Sequence, residues 1–387
     1  MTRKLNVGMI GYKFMGRAHS NAWLKVAKFF ELKAQPVMKT VCGRNQEGAT
    51  ALATKFGWDM VETDWRRVVE DPTIHIVDIN TPNDSHAEIA IAAARNGKHI
   101  LCEKPLALNV AQCKAMVDAV KKAGVVHMIC HNYRRIPALA LARQMIQRGD
   151  LGNRIFHYRA RYLQDWIVDP NFPLVWRLQK GISGSGTHGD ICAHIIDIGR
   201  YLLGEFSEVS GLMETFIKER PLAEEQGKGA GLSAKASRKM GKVTVDDCST
   251  FIGRFKNGAV CNLEATRFAL GRKNGIQVEI NGSKGSLYFD FEDMNRLKFY
   301  TQTDPADARG FRDILVTEGV HPYARAWWPP GHIIGYEHTF IHTIADFVNA
   351  VVDGKPVQPT FEDGLRNQIV LEAVQESAKN RKWVKVS

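Results

Sequence analysis

The chain has 387 residues, which is more than one hydrophobic core usually supports, so two domains are expected. Hydrophobic residues make up 44% of it and charged residues 24%, as in globular proteins, and no apolar run approaches the roughly 20 residues that cross a bilayer, so we expect no membrane partner. The net charge of +11 is spread along the chain without a nucleic-acid-binding motif, so we also expect no nucleic-acid partner.

The seven cysteines are odd in number and scattered, and no two of them form a C-x-x-C pair. This usage predicts reduced thiols in a cytoplasmic protein, with neither a disulfide framework nor a metal site. The N-terminus runs directly into a glycine-rich turn, so it is expected to be a first strand and not a signal peptide. A local excess of positive charge from Lys228 to Lys242 is interpreted either as a solvated flexible loop or as a positive field that attracts an anionic substrate.

The predicted first strand begins at residue 5 and leads into a glycine-containing turn. The turn is G-x-G-x-x-G with a lysine in place of the second glycine: Gly11-Tyr12-Lys13-Phe14-Met15-Gly16. In the intact pattern the first glycine allows a tight turn, the second allows a pyrophosphate to approach, and the third lets the next helix pack on the strand. Lys13 either lengthens the approach to the phosphates or contacts them through its ammonium group.

The predicted second strand, Val37–Cys42, is followed by Gly43, Arg44 and Asn45. A site that selects NAD usually has an acidic residue at this point, on the ribose hydroxyls. The sequence has no carboxylate here, and Arg44 either meets the 2′-phosphate of NADP or stacks on adenine. These residues by themselves favour NADP.

The rest of the N-terminal third alternates between helices and apolar strands. The predicted helices are 47–56, 87–96 and 110–123, and the predicted strands are 74–80, 99–103 and 125–130. This spacing is typical of βαβ units. Residues 1–130 are therefore predicted to form a Rossmann dinucleotide-binding domain, an α/β fold with a doubly wound parallel sheet.

After residue 131, strand-like alternation replaces the helix–strand repeats. The predicted strands are 154–163, 209–217, 248–255, 259–266, 277–281, 286–290 and 296–300, and the predicted helices are 137–148, 190–203, 336–352 and 362–381. Asn257-Gly258 and Asn281-Gly282 predict tight hairpin turns. Residues 131–387 are thus predicted to be an α+β domain for substrate binding and oligomerisation, with a large, open, mostly antiparallel sheet whose exposed face favours self-association.

Two short motifs carry groups suited to acid–base chemistry. The strand 99–103 delivers Glu103-Lys104-Pro105 to the carboxyl edge of the sheet, where ligands of such folds bind. Asp190 and His194 are four residues apart at a predicted helix start and share one face. Taken singly, Lys104 also fits a surface lysine, Asp190 a helix cap and His194 a core histidine. A metal ion on Asp190 and His194 has no clear third ligand in the sequence.

Taken together, the glycine turn, Glu103-Lys104-Pro105 and Asp190-x-x-x-His194 resemble the Gfo/Idh/MocA family, which includes glucose–fructose oxidoreductase and inositol dehydrogenase. The resemblance covers essentially the whole chain, including 81–86 and 281–285. It implies that Lys104, followed by a cis proline, Asp190 and His194 are catalytic, and that the protein is a homodimer or homotetramer. It also implies a nicotinamide cofactor, for which the candidate binding residues are Gly11, Tyr12, Lys13, Phe14, Met15, Gly16, Gly43, Arg44, Asn45, Thr81, Pro82, Asn83, His86, Glu103, Lys104 and Asn132.

Within the family, the segments 11–16, 162–166 and 327–332 resemble the levoglucosan dehydrogenase branch. Those relatives typically use NAD although they lack the acidic ribose residue, so NAD is expected, with NADP as the alternative. A small carbohydrate substrate is expected. Its candidate contacts are polar or aromatic residues near the expected crevice, each of which also fits a packing role: Lys104, Tyr133, Arg134, Arg159, Arg161, Gln164, Asp165, Trp166, Trp176, Arg177, His188, Asp190, His194, Arg267, Trp328 and His332.

The implied reaction is oxidation of a secondary hydroxyl, at C3 of a pyranose ring, by hydride transfer to the nicotinamide. A base must take the hydroxyl proton as hydride departs. His194 is assigned as that base because imidazole titrates near neutral pH. Lys104 would then stabilise the developing negative charge on oxygen, and Asp190 would orient the substrate. The sequence leaves the roles of His194 and Lys104 interchangeable.

Two other functions remain open on the sequence. Some relatives cleave glycosides without net redox change, through oxidation, elimination, hydration and re-reduction, and an anionic glycoside such as a sulfoquinovoside fits the charge of +11. Other relatives are non-catalytic regulators that sense the nucleotide. A regulator needs none of the three candidate catalytic residues, and their joint presence argues against it.

Overall fold

The structure is a computed structural model that describes residues 3–224 and 235–387. The chain forms two compact units. The first contains Met1–Asn132 and Gly335–Gln368, and the second contains Tyr133–Ile334 and Ile369–Ser387. The arrangement differs from a single division at residue 130, because the segment Gly335–Gln368 belongs with the first unit.

A six-stranded parallel sheet forms the centre of the first unit. Its strands are β1 (Lys4–Ile10), β2 (Gln35–Cys42), β3 (Met60–Glu62), β4 (Ile76–Ile79), β5 (His99–Cys102) and β6 (His127–Ile129). They lie in the order β3-β2-β1-β4-β5-β6, which confirms the predicted doubly wound sheet. The order reverses between β1 and β4, and ligands of such sheets bind beyond the carboxyl ends of the strands at that point.

Five helices connect these strands: α1 (Phe14–Phe29), α2 (Gln46–Phe56), α3 (Trp65–Glu70), α4 (His86–Arg95) and α5 (Val110–Ala123). Because helices cover both faces of a doubly wound sheet, its central strands are apolar along their whole length. All four residues of β4 are buried. The small side chains of Ala90 and Ala93 on α4 are fully buried in the same core.

The second unit contains the remaining strands. They are β7 (Ile155–Leu163), β8 (Phe206–Glu214), β9 (Glu219–Ala223), β10 (Ala236–Lys242), β11 (Cys248–Phe255), β12 (Val260–Thr266), β13 (Gly275–Gly282), β14 (Gly285–Asp290), β15 (Arg296–Thr301), β16 (Arg312–Leu315) and β17 (Val384–Lys385). Nine of them form one sheet in the order β16-β15-β14-β13-β7-β12-β11-β8-β17. All of its neighbouring strands are antiparallel except β7 and β12, which confirms the mostly antiparallel prediction.

The helices of the second half of the chain are α6 (Pro137–Arg148), α7 (Lys180–Ser183), α8 (Ala193–Leu203), α9 (Tyr336–Asp353) and α10 (Phe361–Asn380). Helix α9 packs beside α1 in the first unit. The predicted helix 190–203 is wrong at its start, because residues His188–Cys192 form a π-helical turn that runs into α8. No helix of the described residues is long and apolar enough to cross a membrane.

One of the two predicted hairpin turns is correct and the other is displaced. Asn257-Gly258 joins β11 to β12, with Gly258 at φ +91°. Asn281 and Gly282 belong to β13, and the chain turns at residues 283–284 instead, because Asn281 pairs with Ser286 across the hairpin. The side-chain amide of Asn281 also donates to the Ser286 hydroxyl at 3.1 Å, which holds this register.

The basic stretch from Lys228 to Lys242 is only partly described. Residues 228–234 lie outside the described residues. The part Ala236–Lys242 is a strand, β10, and not the expected loop, because it pairs with β9 from Lys242 opposite Glu219 to Ala236 opposite Ala223. Lys239 and Lys242 are exposed on this small sheet.

Candidate active site

The glycine turn after β1 requires glycine at its first and third positions. Gly11 has φ +114°, and a side chain there would collide with the backbone of Asn80 after β4. A side chain on Gly16 would collide with the carbonyl oxygen of Gly11. The backbone N–H of Gly11 donates to the carbonyl of Cys42 at 2.9 Å. The turn therefore passes tightly between the ends of β1, β2 and β4, where a pyrophosphate can approach the backbone.

The lysine in the second glycine position is compatible with this turn. Lys13 has a negative φ of −80°, so its backbone conformation does not require glycine. Its exposed side chain lies at the N-cap of α1, and its carbonyl accepts the N–H of Arg17 at 2.9 Å. Helix α1 is 16 residues long and has no acidic residue in its first turn, so the partial positive charge of its N-terminus is available to a phosphate. These residues fit a dinucleotide.

The end of β2, where a ribose would bind, is shaped by Tyr12. Its ring lies against Gly43 and Gly48, and a side chain on either glycine would overlap it. The side-chain oxygen of Asn45 caps α2 by accepting the N–H of Gly48 at 2.7 Å. Arg44 is exposed at this edge.

The loops after β4 and β5 are joined by a buried histidine. His86 Nδ1 lies 3.0 Å from the carbonyl oxygen of Pro105, and its Nε2 lies 2.9 Å from that of Thr81. Burial lowers the pKa of His86. Since both ring nitrogens contact backbone carbonyl oxygens, His86 holds the 81–83 loop beside the Glu-Lys-Pro turn. Thr81 and Pro82 are half-buried on that loop, and Asn83 is buried.

The Glu-Lys-Pro turn follows β5, as predicted, and the Lys104–Pro105 peptide bond is cis. Lys104 is half-buried, and its backbone N–H donates to Glu103 Oε2 at 3.2 Å. Glu103 is buried, and its Oε1 lies 3.0 Å from His19 Nε2. Asn132 is also buried and donates from its amide to the Thr339 hydroxyl at 2.8 Å. Glu103 and Asn132 thus contact protein groups, whereas Lys104 lies at the end of the strand.

In the second unit, Asp190 and His194 lie on the π-helical turn and the first turn of α8. His194 is 5% exposed and packs against the rings of Tyr133 and Tyr162, with centroids 4.6 and 5.8 Å away. Such packing fixes the orientation of the imidazole. A π-helical turn inserts an extra residue into the helical path, and such turns frequently occur at functional sites.

Asp190 is held by two arginines. Arg267 Nη2 forms an ion pair with Asp190 Oδ2, and Arg177 Nε lies 3.9 Å from the same oxygen. Arg267 is fully buried, with its guanidinium 5.0 Å from the ring centroid of Trp166. The guanidinium of Arg177 lies 4.4 Å from the ring of Trp176. The structure therefore groups two tryptophans and two arginines of the predicted set around Asp190.

Other predicted substrate contacts have protein partners within the second unit. His188 is fully buried, with Nδ1 2.9 Å from the Ser249 hydroxyl and Nε2 2.9 Å from the Leu371 carbonyl. Arg134 is buried and pairs with Asp197 through two hydrogen bonds of 2.6 and 2.8 Å. For both residues a substrate-binding role is not supported, because their polar atoms are engaged in the interior.

The remaining predicted substrate contacts are half-buried or exposed. Asp165 accepts from Lys273 at 2.7 Å, and Gln164 accepts from the Trp166 indole at 2.9 Å. Arg161 is exposed on β7, and Trp328 and His332 are exposed on the loop before α9. Of these residues, Trp166 is linked to Asp190 through Arg267.

A buried group in the first unit, formed by His19, Trp23 and Asp78, was not predicted from the sequence. Both imidazole nitrogens of His19 and the indole of Trp23 face carboxylates. The available signal was the spacing of His19 from Gly16 and Trp23, which places a histidine on the buried face of α1.

Comparison with known proteins assigns both units to one family. Residues 5–131 match the family model described as "Oxidoreductase family, NAD-binding Rossmann fold", and residues 143–386 match "Oxidoreductase family, C-terminal alpha/beta domain", the two parts of Gfo/Idh/MocA proteins. A levoglucosan dehydrogenase from Pseudarthrobacter phenanthrenivorans is 48% identical over 386 residues, covering 99% of this chain and 98% of that protein.

Solved structures agree over the full length. An oxidoreductase domain protein from Kribbella flavida has a TM-score of 0.94 and 52% identity, covering 100% of both chains. A levoglucosan dehydrogenase in complex with NADH and levoglucosan has a TM-score of 0.93 and 48% identity, again covering 100% of both chains. A myo-inositol 2-dehydrogenase from Thermotoga maritima is 24% identical over 99% of this chain and 98% of its own length.

Proposed function

This chain belongs to the Gfo/Idh/MocA oxidoreductase family, and we propose that it is an NAD-dependent dehydrogenase that oxidises levoglucosan or a closely related pyranose at the C3 hydroxyl. The observation that carries the proposal is the 48% identity, over nearly the whole of both chains, to a levoglucosan dehydrogenase. The structure similar to it over its full length was solved with NADH and levoglucosan bound.

The glycine turn and the N-terminus of α1 would hold the pyrophosphate of NAD. Bound NAD supplies the hydride acceptor, and the protein supplies position and proton transfer. Tyr12 and the exposed Arg44 would border the adenosine ribose. The requirement for glycine at Gly11 and Gly16 supports this assignment, because their turn leaves the backbone open to a phosphate.

His194, Lys104 and Asp190 would act on one substrate hydroxyl. His194 would take the proton as hydride leaves carbon, since its ring is buried and oriented by Tyr133 and Tyr162. Lys104 would hydrogen-bond the same oxygen and stabilise its developing negative charge. Asp190 would orient the sugar through hydrogen bonds, its own position being set by Arg267.

The aromatic residues beside Asp190 would bind the apolar face of the sugar ring. Trp166 and Trp176 are both half-buried, and each carries an arginine on its face. Stacking of a sugar on such rings removes apolar surface from water. Arg177 and Arg267 both contact Asp190, so one carboxylate faces two guanidinium groups. The 48% identity to a levoglucosan dehydrogenase favours a neutral sugar over the anionic glycoside that the sequence left open.

The enzyme would work as a homodimer or homotetramer through the open face of the nine-stranded sheet. Ile252, Asn262 and Arg159 lie opposite one another across β11, β12 and β7, and Ile252 is 48% exposed. Leu212 on the neighbouring β8 is 62% exposed. Exposed apolar residues on one sheet face are typical of an interface. All seven cysteines are free thiols, which is consistent with a reducing, cytoplasmic location.

One assay with two readouts tests this function. Purified enzyme is mixed with NAD, and in parallel with NADP, against levoglucosan, free hexoses, inositol and chromogenic glycosides that include a sulfoquinovoside. We expect NADH to accumulate with levoglucosan and no aglycone to be released. Aglycone release without net reduction, dependent on added NAD, would instead establish redox-neutral glycoside cleavage. No turnover with any sugar would refute the proposal.

A further inference from the structure

A buried charged cluster lies in the first unit directly behind the Glu-Lys-Pro turn. It consists of His19 on α1, Asp78 in β4 and Glu103 after β5. Their side chains are 1%, 0% and 6% exposed. Burying three ionisable groups is costly unless they neutralise one another, so their arrangement requires a physical explanation.

The hydrogen bonds of this cluster determine the charge of His19. Its Nδ1 lies 3.0 Å from both carboxylate oxygens of Asp78, and its Nε2 lies 3.0 Å from Glu103 Oε1. Ionised carboxylates only accept hydrogen bonds, so with both carboxyl groups ionised each ring nitrogen carries a proton. A neutral imidazole would direct one lone pair at a carboxylate. His19 is therefore an imidazolium, and the cluster of one cation and two anions has a net charge of −1.

The surroundings agree with this assignment. Asp78 also accepts from the Trp23 indole at 2.7 Å and from the Asn80 amide at 2.9 Å. Burial alone would lower the pKa of His19, but the Asp78 carboxylate raises it well above its usual value. Among the described residues, the Phe340 ring on α9 and the Cys130 thiol after β6 also face His19. Burial raises the pKa of Cys130 to about 12, so that thiol is neutral.

Glu103 links this cluster to Lys104. Its Oε1 contacts His19, and its Oε2 accepts the backbone N–H of Lys104 at 3.2 Å. Burial would raise the pKa of Glu103, but the hydrogen bond and charge of His19, followed by the charge of Lys104, lower it. The same carboxylate is therefore bound to the imidazolium on one side and to the backbone of Lys104 on the other.

We propose that His19, as an imidazolium, is a positioning residue for Lys104: it anchors Glu103 to α1 and sets the net charge beside the lysine. This inference rests on the proposed role of Lys104 in sugar oxidation. In this proposal α1, the helix that follows the glycine turn, controls the position of the Glu-Lys-Pro turn. His19 would then act on the reaction without touching the substrate.

Two members of the cluster and a nearby thiol offer an alternative, a metal site, since ligand atoms of His19, Glu103 and Cys130 all lie within 4.8 Å of one another. A ligating imidazole must offer a lone pair, and a ligating thiol must lose its proton. The carboxylates on both nitrogens of His19 favour the doubly protonated ring instead. Stoichiometric zinc in purified enzyme would overturn the proposal.

Three variants change the net charge of the cluster with little change in the size of its side chains: H19Q, E103Q and the double variant H19Q/E103Q. They give the cluster net charges of −2, 0 and −1, and the last equals that of the wild type. A matched control is H75Q, because His75 lies in the same unit and its Nδ1 accepts only a backbone N–H, from Asn6 at 3.0 Å. The measurements are kcat with levoglucosan, the pH–rate profile, and NADH affinity by fluorescence.

We expect H19Q to lower kcat about 100-fold, as a displacement of roughly 1 Å in a reacting group does, while NADH affinity changes less than about threefold. Its pH–rate profile moves to higher pH, because the uncompensated carboxylates stabilise positive charge beside them. E103Q moves the profile to lower pH, and the double variant returns it toward the wild type. A normal kcat in H19Q, or a loss of kcat with an unshifted profile as in a merely structural defect, would overturn the proposal.

A measurement on the unmodified enzyme covers the case in which H19Q does not fold. Ring-labelled histidine allows the protonation of His19 to be followed by NMR, and we expect both nitrogens protonated at pH 8. A neutral ring there refutes the inference whatever the kinetics. K104A distinguishes the two proposals: full turnover in K104A removes the proposed role of Lys104, whereas an inactive K104A beside a fully active H19Q removes only the role of His19.

Discussion

Replacing Arg267 with methionine tests how Asp190 is held. The substitution keeps most of the apolar volume beside Trp166 and removes the only fully buried cation that pairs with Asp190 among the described residues. Removing one partner of a buried ion pair usually costs about 3–5 kcal/mol. Asp190 remains 28% exposed and is rehydrated in the variant, which reduces that cost. The lost contact with Trp166 contributes a further ~0.5–2 kcal/mol. We therefore expect a loss of about 3 kcal/mol in the free energy of unfolding.

Urea unfolding and steady-state kinetics measure the effect of R267M. The matched control is R272M, whose arginine pairs with Glu292 on the surface and should contribute at most about 1 kcal/mol. We expect kcat to fall at least about tenfold in R267M, because the carboxylate loses its fixed orientation. R267K should be intermediate, since lysine keeps the charge but not the planar fork. If R267M and R272M have the same stability and kinetics, Arg267 does not position Asp190.

Further predictions concern the chemistry, the turn and the pH dependence. K104A and H194A should each lower turnover about 100-fold or more and leave NADH binding nearly intact, as measured by fluorescence titration. G11A should abolish NADH binding, because φ +114° and the Asn80 backbone leave no room for a side chain, whereas K13G should retain it because Lys13 has φ −80°. The raised pKa of His19 implies a contribution to stability that is complete below about pH 6.5 and is lost as pH rises through the higher folded-state value. Urea unfolding between pH 6 and 10 should show this decline in the wild type but not in H19Q.

Local sequence signals predicted the parts of the fold that depend on neighbouring residues. The tight turn at Gly11, the end of α5 at Gly124 and the hairpin at Gly258 all use glycine with positive φ, which few other residues adopt. The alternation of helix and strand likewise predicted the parallel sheet. The Asn281-Gly282 turn failed because the strand pairing of Asn281 with Ser286 outweighs the local turn preference.

Contacts between residues far apart in the chain could not be predicted from the sequence. Asp190 and Arg267 are 77 residues apart, and no local pattern connects them. His188, two residues before Asp190, is a predicted substrate contact, yet its hydrogen-bond partners Ser249 and Leu371 place it in the core. Whether a polar side chain points into the core or toward a ligand depends on the elements packed against it. The π-helical turn at His188–Cys192 also changes the direction of the side chains within one turn.

The net charge of +11 shows that function, too, depends on contacts that the sequence does not reveal. Several arginines of the second unit are buried, and their charges are met by nearby groups: Arg134 by Asp197, Arg200 by Glu205, Arg267 by Asp190, and Arg220 by the backbone carbonyls of Ile167 and Asp169. These four arginines are held by the protein and are not free to bind a sulfonate. Exposed charges are screened within about 8 Å at physiological ionic strength. The net charge therefore does not by itself indicate an anionic substrate, and the 48% identity to a levoglucosan dehydrogenase supports a neutral one.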